Sequence, residues 1–166
     1  MTIRTILQYP DPRLRTIARE VEKIDDGIRE LIADMFETLY AAGGIGLAAT
    51  QIDVHLAVIV IDLTEKKKSP HVFINPKITV LDDRDRGVYK EGCLSVPEFQ
   101  ANVKRPKQVR VQCLNENGEA LDFKPEGLLA VCLQHEIDHL NGKLFVDHLS
   151  LLRRSRISRA LRKRSA

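Results

Sequence analysis

Apolar residues recur with a helical period in three stretches of the chain. From about residue 25 to 42 they lie three or four positions apart, which predicts an amphipathic helix that Gly43 and Gly44 would end. A second helix is predicted from about Glu126 to Asn141, and a third from about residue 148 to 164. The partial apolar stripe of the third helix consists of Leu149, Leu152, Ile157 and Leu161.

Shorter apolar stretches predict strands between the first two helices. Residues 55–63 are predicted to form a buried strand, because the run is short and rich in β-branched residues. Residues 72–81 predict a second strand, in which Pro76 marks an edge or a bulge. Apolar residues alternate over 109–113 and 121–123, on either side of the turn sequence NENG, which predicts a hairpin. Strands grouped between helices, without regular βαβ alternation, favour an α+β fold.

The composition is typical of one globular domain, predicted to span residues 1–166. The chain has 166 residues, of which 43% are hydrophobic and 30% charged. No apolar run approaches the roughly 20 residues needed to span a bilayer, and the N-terminus lacks the apolar core of a signal peptide. An odd and low number of cysteines, three, argues against a disulfide framework. We therefore expect a cytoplasmic protein with no membrane partner.

The net charge of +3 conceals a basic tail. Seven of the 26 cations follow Asp147, where no acidic residue occurs, and the other 19 stand against 23 acidic residues. The seven are Arg153, Arg154, Arg156, Arg159, Arg162, Lys163 and Arg164. From charge alone, a solvated helix surface and a site that contacts nucleic-acid phosphates both account for such a tail.

The sequence HEIDH, residues 135–139, has the spacing of a metal site. On a helix His135 and His139 share a face, so both imidazoles can bind one cation. Glu136 can then reach a water molecule beside the metal without being a ligand, which suits water activation and proton transfer to a leaving amine. A surface helix that carries these residues by chance is the alternative, but the preceding sequence GLLAVCL indicates a buried segment.

A catalytic site of this type needs a third protein ligand. The position six residues after His139, where a metzincin has a histidine, is Phe145, and the carboxylate of a thermolysin-like enzyme has no counterpart further on. His148 remains open as a candidate. Cys132 lies about 10.5 Å along the helix axis from His139, too far for one cation. Cys113 lies in an apolar strand, as inert core cysteines do.

Cys93, in the segment KEGCLSVPE, is the remaining candidate. A thiolate from this separate segment would complete a Cys-His-His set and leave a fourth position for water. A buried structural cysteine and a catalytic thiol nucleophile are the alternatives, although a nucleophilic thiol gives the HExxH spacing no role.

The glycine-rich segment GGIGLAATQ, residues 43–51, contains the pattern G-x-G-x-x-A. A dinucleotide-binding fingerprint would follow a strand and open a helix, whereas here a helix precedes and a strand follows. A helix cap with tight packing explains the small residues. So does close approach of an extended substrate to the backbone, with Gln51 as an amide donor.

The segments GIGLAATQ, EGCLS and QHEIDHLNG, in this order and spacing, resemble the three signature motifs of peptide deformylase. The similarity extends over nearly the whole chain. Members of this family remove the formyl group from new N-terminal methionines. We expect an α+β fold in which antiparallel or mixed strands pack around a central metal-binding helix, with a C-terminal helix.

The resemblance implies a metal site and a general base. Cys93, His135 and His139 would bind one divalent metal ion, and Glu136 would act as general base and acid. Bacterial members of the family use Fe²⁺, with Zn²⁺, Ni²⁺ or Co²⁺ as substitutes. The ligand chemistry alone would have indicated zinc.

The resemblance also implies how an N-formylmethionyl peptide is held. The side-chain amide of Gln51 and the backbone N–H of Leu94 would stabilise the oxyanion. Ile45 and Gly46 would pair with an extended substrate backbone. The residues expected in the wall of the methionine pocket are Leu128 and Val131.

The chain departs from the family after Pro97-Glu98. Many bacterial members carry an arginine two positions on, where this chain has Phe99-Gln100. The departure puts the local ion pairing of Glu98 in doubt and leaves Arg105 as a candidate partner.

The resemblance favours one role for the basic segment 148–166, because deformylases of this kind are thought to approach the ribosome through a basic C-terminal helix. Two other functions stay open from the sequence. One is a metallopeptidase of another type that uses the same HExxH helix. The other is a non-catalytic RNA-binding module with a structural zinc ion, for which His148 or Cys132 would supply the fourth ligand.

Overall fold

The computed structural model describes residues 1–165; Ala166, the last residue of the predicted basic segment, lies outside the described residues. The helices within that range are α1 (Asp26–Ala42), α2 (Gly127–Leu140) and α3 (Leu151–Ser165). The strands are β1 (Gly46–Ala48), β2 (Val58–Ile61), β3 (His71–Val80), β4 (Arg86–Cys93), β5 (Val96–Pro106), β6 (Val109–Leu114) and β7 (Ala120–Phe123). Short 3₁₀ helices span Pro12–Arg15, Ala49–Ile52 and Phe145–His148.

The named strands form two antiparallel sheets. One is five-stranded, in the order β1-β2-β3-β6-β7, and the other is the β4–β5 hairpin. Helix α2 contacts β1, β2 and β3 and lies centrally, while α3 closes the chain. The predicted α+β class, with strands around a central helix and a C-terminal helix, is confirmed. None of the helices within residues 1–165 is long and apolar enough to cross a membrane.

Local chemistry explains where α1 begins and ends. The carboxylate of Asp25 accepts a hydrogen bond from the backbone N–H of Ile28 at 3.1 Å, which satisfies an otherwise unpaired donor of the first turn. At the other end Gly43 adopts a left-handed conformation with φ of 71°, which favours glycine. The predicted bounds of this helix are therefore correct to within one residue.

Pro76 marks a bulge rather than an edge. Strand β3 lies between β2 and β6, and the step of three residues from Ile74 to Lys77 opposes a step of two on β6. The additional residue removes the ladder hydrogen bond that a proline could not donate.

The apolar pattern does not predict the β4–β5 hairpin. Most residues of β4 are exposed or half-buried, and the buried one is charged, Glu91. The strand therefore lacks the alternation of apolar residues by which a half-buried strand is recognised.

Helix α3 docks on the body through Ile157 and Leu161, which are buried in a cluster with Leu7, Tyr9 and Phe145. The predicted third helix is wrong at two points. It begins at Leu151 because Phe145–His148 forms a 3₁₀ helix, and Leu152 remains 66% exposed instead of joining the docked stripe.

Candidate active site

Helix α2 presents His135, Glu136 and His139 inside the protein. All three side chains belong to residues that are at least nine-tenths buried, because α2 packs against the five-stranded sheet on one side and the 3₁₀ segment Phe145–His148 lies beyond its end. The two imidazole rings lie with centroids 5.1 Å apart on the shared helix face. The HEIDH segment therefore emerges from the core, as the apolar residues before it predict.

The last residue of β4 brings a thiol to these histidines. Cys93 Sγ lies 3.2 Å from His139 Nε2, and one donor atom from each of Cys93, His135 and His139 lies within 4.8 Å of the others. A soft thiolate and two imidazoles at this separation fit a divalent transition metal with one coordination position left for water or substrate.

The competing ligand candidates are not part of this three-donor cluster. His148 Nε2 lies 3.1 Å from Asp138 Oδ2, and Cys113 is buried in an apolar cluster on β6. Burial raises the pKa of Cys113 to about 11, and burial together with Glu136 raises the pKa of Cys132 well above its usual value. Among residues 1–165, the three-donor cluster around Cys93 includes neither His148 nor Cys132, so no fourth protein ligand closes the site.

A buried carboxylate that sequence reasoning overlooked orients the first histidine. Glu91 Oε1 lies 2.9 Å from His135 Nδ1, which leaves Nε2 of that ring to act as the metal ligand. Burial would raise the pKa of Glu91, but hydrogen bonds from His135 and Arg105 outweigh it and lower the pKa. The sequence signal that could have found it is an acidic residue two positions before a candidate cysteine ligand.

Arg105 is the hub of this network and not the partner of Glu98. Its guanidinium donates to both carboxylate oxygens of Glu91, at 2.5 and 2.9 Å, and to Asp138 at 3.0 Å. Glu98 instead pairs with Arg164 of α3 at 2.6 Å. The prediction that Arg105 is available to Glu98 is therefore wrong, because a buried guanidinium between two acids is already saturated by charged partners.

Glu136 has the environment of a general base. Its Oε2 atom is buried and has no hydrogen-bond partner among the described residues. Burial raises its pKa to about 7, with the negative charge of Glu91 adding to the effect. A carboxylate with a pKa near neutrality can take and return a proton under working conditions.

In the metal-free protein the pKa values of the two histidines are shifted in opposite directions. Burial would lower the pKa of His135, but hydrogen bonds to Cys93 and Glu91 raise it well above the usual value. Burial and the neighbouring His135 charge lower the pKa of His139 well below its usual value. His139 is therefore a neutral imidazole, the form that binds a metal.

The Gln51 amide lies next to the proposed metal ligand. Its Nε2 donates to Ser95 Oγ at 3.0 Å and lies 3.5 Å from Cys93 Sγ, while its Oε1 accepts from the backbone N–H of Ala48 at 2.9 Å. The oxygen is thereby turned away and the N–H groups face the site. Leu94, the residue after Cys93, also lines the cleft.

A cleft of about 780 Å³ lies between the glycine-rich segment, the β4–β5 hairpin and α2. The predicted substrate contacts all line it: Ile45, Gly46, Leu128 and Val131. Gly46 is required by close approach, because a Cβ atom there would lie 2.9 Å from both Cys132 Sγ and Glu136 Oε1. Strand β1, which begins at Gly46, is an edge strand, so its outer backbone groups face the cleft and not another strand of the sheet.

Comparison with known proteins gives one consistent family. The family model described as polypeptide deformylase matches residues 3–155. A peptide deformylase of Azotobacter vinelandii is 60% identical over 98% of this chain and 96% of its own length, and one of Pseudomonas aeruginosa is 58% identical over the same shares. The crystal structure of a peptide deformylase from Legionella pneumophila is similar, with a TM-score of 0.91 and 49% identity over 99% of this chain and 96% of that one. That of the Ehrlichia chaffeensis peptide deformylase in complex with actinonin has a TM-score of 0.92 and 42% identity, over 99% and 98%.

Proposed function

The chain belongs to the peptide deformylase family and is a hydrolase that removes the formyl group from N-terminal methionine; from that premise we propose which residues perform the reaction. Cys93, His135 and His139 bind one divalent metal ion, and Glu136 is the general base and acid. The observation that carries this assignment is the 3.2 Å approach of Cys93 Sγ to His139 Nε2, beside a buried Glu136 carboxylate oxygen that has no hydrogen-bond partner within residues 1–165.

The chemistry that the metal supplies when bound is Lewis-acid activation of water and polarisation of the formyl oxygen. The remaining work falls to the chain. Glu136 takes the proton of the attacking water and passes it to the methionine nitrogen as the carbon–nitrogen bond breaks, so that formate and a free amine leave. The Gln51 Nε2 protons and the Leu94 backbone N–H stabilise the negative charge on the formyl oxygen.

The substrate enters as an extended strand. The free edge of β1 at Ile45 and Gly46 offers backbone groups to the peptide. Leu128 and Val131, one turn apart on α2, provide apolar contact for the methionine side chain. The reaction is confined to one catalytic domain, because the buried cluster under α3 joins residues from both ends of the chain.

A formate-release assay on formyl-Met-Ala-Ser under anaerobic conditions tests this function. We expect stoichiometric formate and an intact Met-Ala-Ser product. A metallopeptidase of another type would cut an internal peptide bond, and a structural zinc module would release nothing.

We propose Fe²⁺ as the metal used. A ferrous ion beside a solvent-accessible thiolate should lose activity in air through oxidation of both the iron and Cys93, whereas the Ni²⁺-loaded enzyme should retain activity under the same exposure. Activity, and iron and nickel content, are followed over time in air. Equal loss for both metals would contradict the assignment to iron.

We further propose that α3 contacts ribosomal RNA. One solvent-facing stripe lies opposite the docked residues Ile157 and Leu161. It consists of Leu152, Arg156, Arg159 and Lys163, all exposed. A row of cations on a firmly docked helix suits phosphate contacts, and a cytoplasmic location, consistent with three free thiols, would bring it to nascent chains.

The structure changes how this proposal should be tested. Truncation after Ser155 would remove Ile157 and Leu161 and expose the apolar cluster beneath them. We therefore choose the triple substitution Arg156→Gln, Arg159→Gln and Lys163→Gln. It should weaken ribosome binding and lower the slope of log affinity against log salt by about one for each phosphate that is no longer neutralised. Hydrolysis of formyl-Met-Ala-Ser should be unchanged. Unchanged ribosome affinity would reduce the stripe to a solvated surface.

A further inference from the structure

The β4–β5 hairpin carries a bulge directly beside the proposed metal ligand. Gly92 pairs with Gln100 and the next residue of β4, Cys93, pairs with Val96, so three residues of β5 loop out of the ladder. They are Pro97, Glu98 and Phe99. Bulges re-aim side chains and occur next to active sites.

The bulge forms part of the cleft rim. Pro97, Glu98 and Phe99 all line the cleft that contains Glu136. Glu98 has a φ of 67°, in the left-handed region that favours glycine. Strained backbone of this kind clusters at functional sites, and the contacts of Glu98 show what holds it in place.

The last turn of α3 holds the tip of the bulge. Arg164 Nη1 lies 2.6 Å from Glu98 Oε2, and the Arg164 guanidinium carbon lies 6.0 Å from the centroid of the Phe99 ring. The Phe99 side chain also packs against the buried cluster that contains Ile157 and Leu161. The position of this rim therefore depends on α3 through one ion pair, one cation–π contact and apolar packing.

We propose that Arg164 is a positioning residue for the substrate residues that follow formyl-methionine: it fixes the bulge so that Phe99 presents its ring to an apolar side chain at the second or third position. This proposal deepens the deformylase function and rests on it. The bulge directly follows Val96, which pairs with Cys93 across the hairpin. Because an extended peptide advances about 3.3 Å per residue, we place the second and third substrate residues at this rim.

The proposal gives Arg164 a role distinct from that of Arg156, Arg159 and Lys163, the cations of the solvent-facing stripe on α3. Its charge is directed at the cleft rim, whereas Arg159, on the side of α3 away from Ile157, points to solvent. Arg159→Ala is therefore a matched control, because it removes the same kind of side chain from the same helix.

The test compares two substrates in the metal-loaded, full-length enzyme. Formyl-methionine amide ends before the bulge, and formyl-Met-Leu-Phe amide extends over it. For Arg164→Ala we expect KM for the longer substrate to rise about two- to fivefold, the range that an exposed ion pair with an added ring contact allows. The kcat of Arg164→Ala for the longer substrate should equal that of Arg159→Ala. For formyl-methionine amide, both kcat and KM should be the same in the two variants.

A charge-reversal pair separates positioning from a general disturbance of the helix. Arg164→Glu should raise KM for the longer substrate at least as much as Arg164→Ala, because it sets two carboxylates against each other. The double variant Glu98→Arg/Arg164→Glu should return KM to within about twofold of the wild-type value, because the ion pair is rebuilt in reverse.

Three results would overturn the proposal. The first is an equal KM for the longer substrate in Arg164→Ala and Arg159→Ala. The second is an equal rise in KM for both substrates in Arg164→Ala. The third is a KM for the longer substrate that does not recover in the double variant. In each case formate release from formyl-methionine amide would still stand, so failure of this proposal is distinguishable from failure of the deformylase function.

Discussion

Helices α2 and α3 both carry ionisable residues, and they place them in opposite environments. On α2 the side chains of His135, Glu136 and His139 are buried, and their pKa values move strongly in different directions. On α3 the buried side chains are Ile157 and Leu161, and most of the cations stand in solvent. Burial turns ordinary side chains into reactive ones, whereas exposure keeps charges available for contacts that salt weakens.

The largest effect should come from the buried base. Glu136→Gln should lower kcat by at least about a hundredfold, because the amide cannot accept a proton from water. Metal content, measured by elemental analysis, should stay stoichiometric, since Glu136 is not among the three proposed ligands. Glu126→Gln, at the N-terminal end of the same helix, is the control and should keep full activity. A Glu136→Gln enzyme that keeps a tenth of the wild-type kcat would refute the assignment.

The second effect concerns the metal. Cys93→Ser should weaken metal affinity by more than about a hundredfold, because a neutral hydroxyl replaces the proposed thiolate ligand. Loss of a residue that only hydrogen-bonds to a metal ligand already weakens metal affinity by up to about a hundredfold. Competition with a chelator measures the change. Cys113→Ser and Cys132→Ser are controls that should keep one metal per chain, and full occupancy in Cys93→Ser would exclude the Cys-His-His set.

The third effect is a pH dependence of stability in the metal-free protein. Burial raises the pKa of Glu136 from 4.5 to about 7, so the folded state binds more protons than the unfolded chain between these values. This group therefore makes the free energy of unfolding fall as pH rises through that window. Metal-free Glu136→Gln should gain about 3 kcal/mol over metal-free wild type by pH 8 and nothing at pH 4. Denaturant titration at both pH values gives the difference; a constant offset would contradict it.

The smallest effects belong to α3 and contrast its two faces. Ile157→Val removes one buried methyl group and should lower the free energy of unfolding by about 0.5–1.5 kcal/mol. Arg159→Gln, on the exposed face, should change it by less than about 0.5 kcal/mol. Denaturant unfolding of the two variants at one pH compares them. A larger loss from Arg159→Gln than from Ile157→Val would mean that α3 is held by its charges.

The sequence predicts those parts of the molecule in which a local pattern of residues determines the structure. The HEIDH spacing and the glycines that end α1 are local features, and the periodicity places the bounds of α1 to within a residue. The β4–β5 hairpin is not predicted because the buried residue of β4, Glu91, is charged and forms an ion pair with the buried Arg105 of β5. Their pairing depends on tertiary contacts that no local pattern contains.

The same limit applies to Glu98. Its candidate partner by sequence proximity is Arg105, seven residues away, but Arg105 is held in the core and the real partner, Arg164, comes from the far end of the chain. Proximity along the chain does not identify the partner of Glu98, because successive side chains of a strand point to opposite faces. Glu98 lies on the exposed face of β5 and Arg105 on the buried face.

The close fit of Gly46 has a consequence for resistance to inhibitors. A larger side chain at position 46 is no defence against a compound that lies along the edge of β1, because the first added carbon would lie 2.9 Å from Glu136 Oε1. Any substitution that blocks the compound there would therefore displace the side chain of Glu136, the proposed general base, as well. At position 46, therefore, a side chain large enough to block such an inhibitor would also lower the turnover of the enzyme itself.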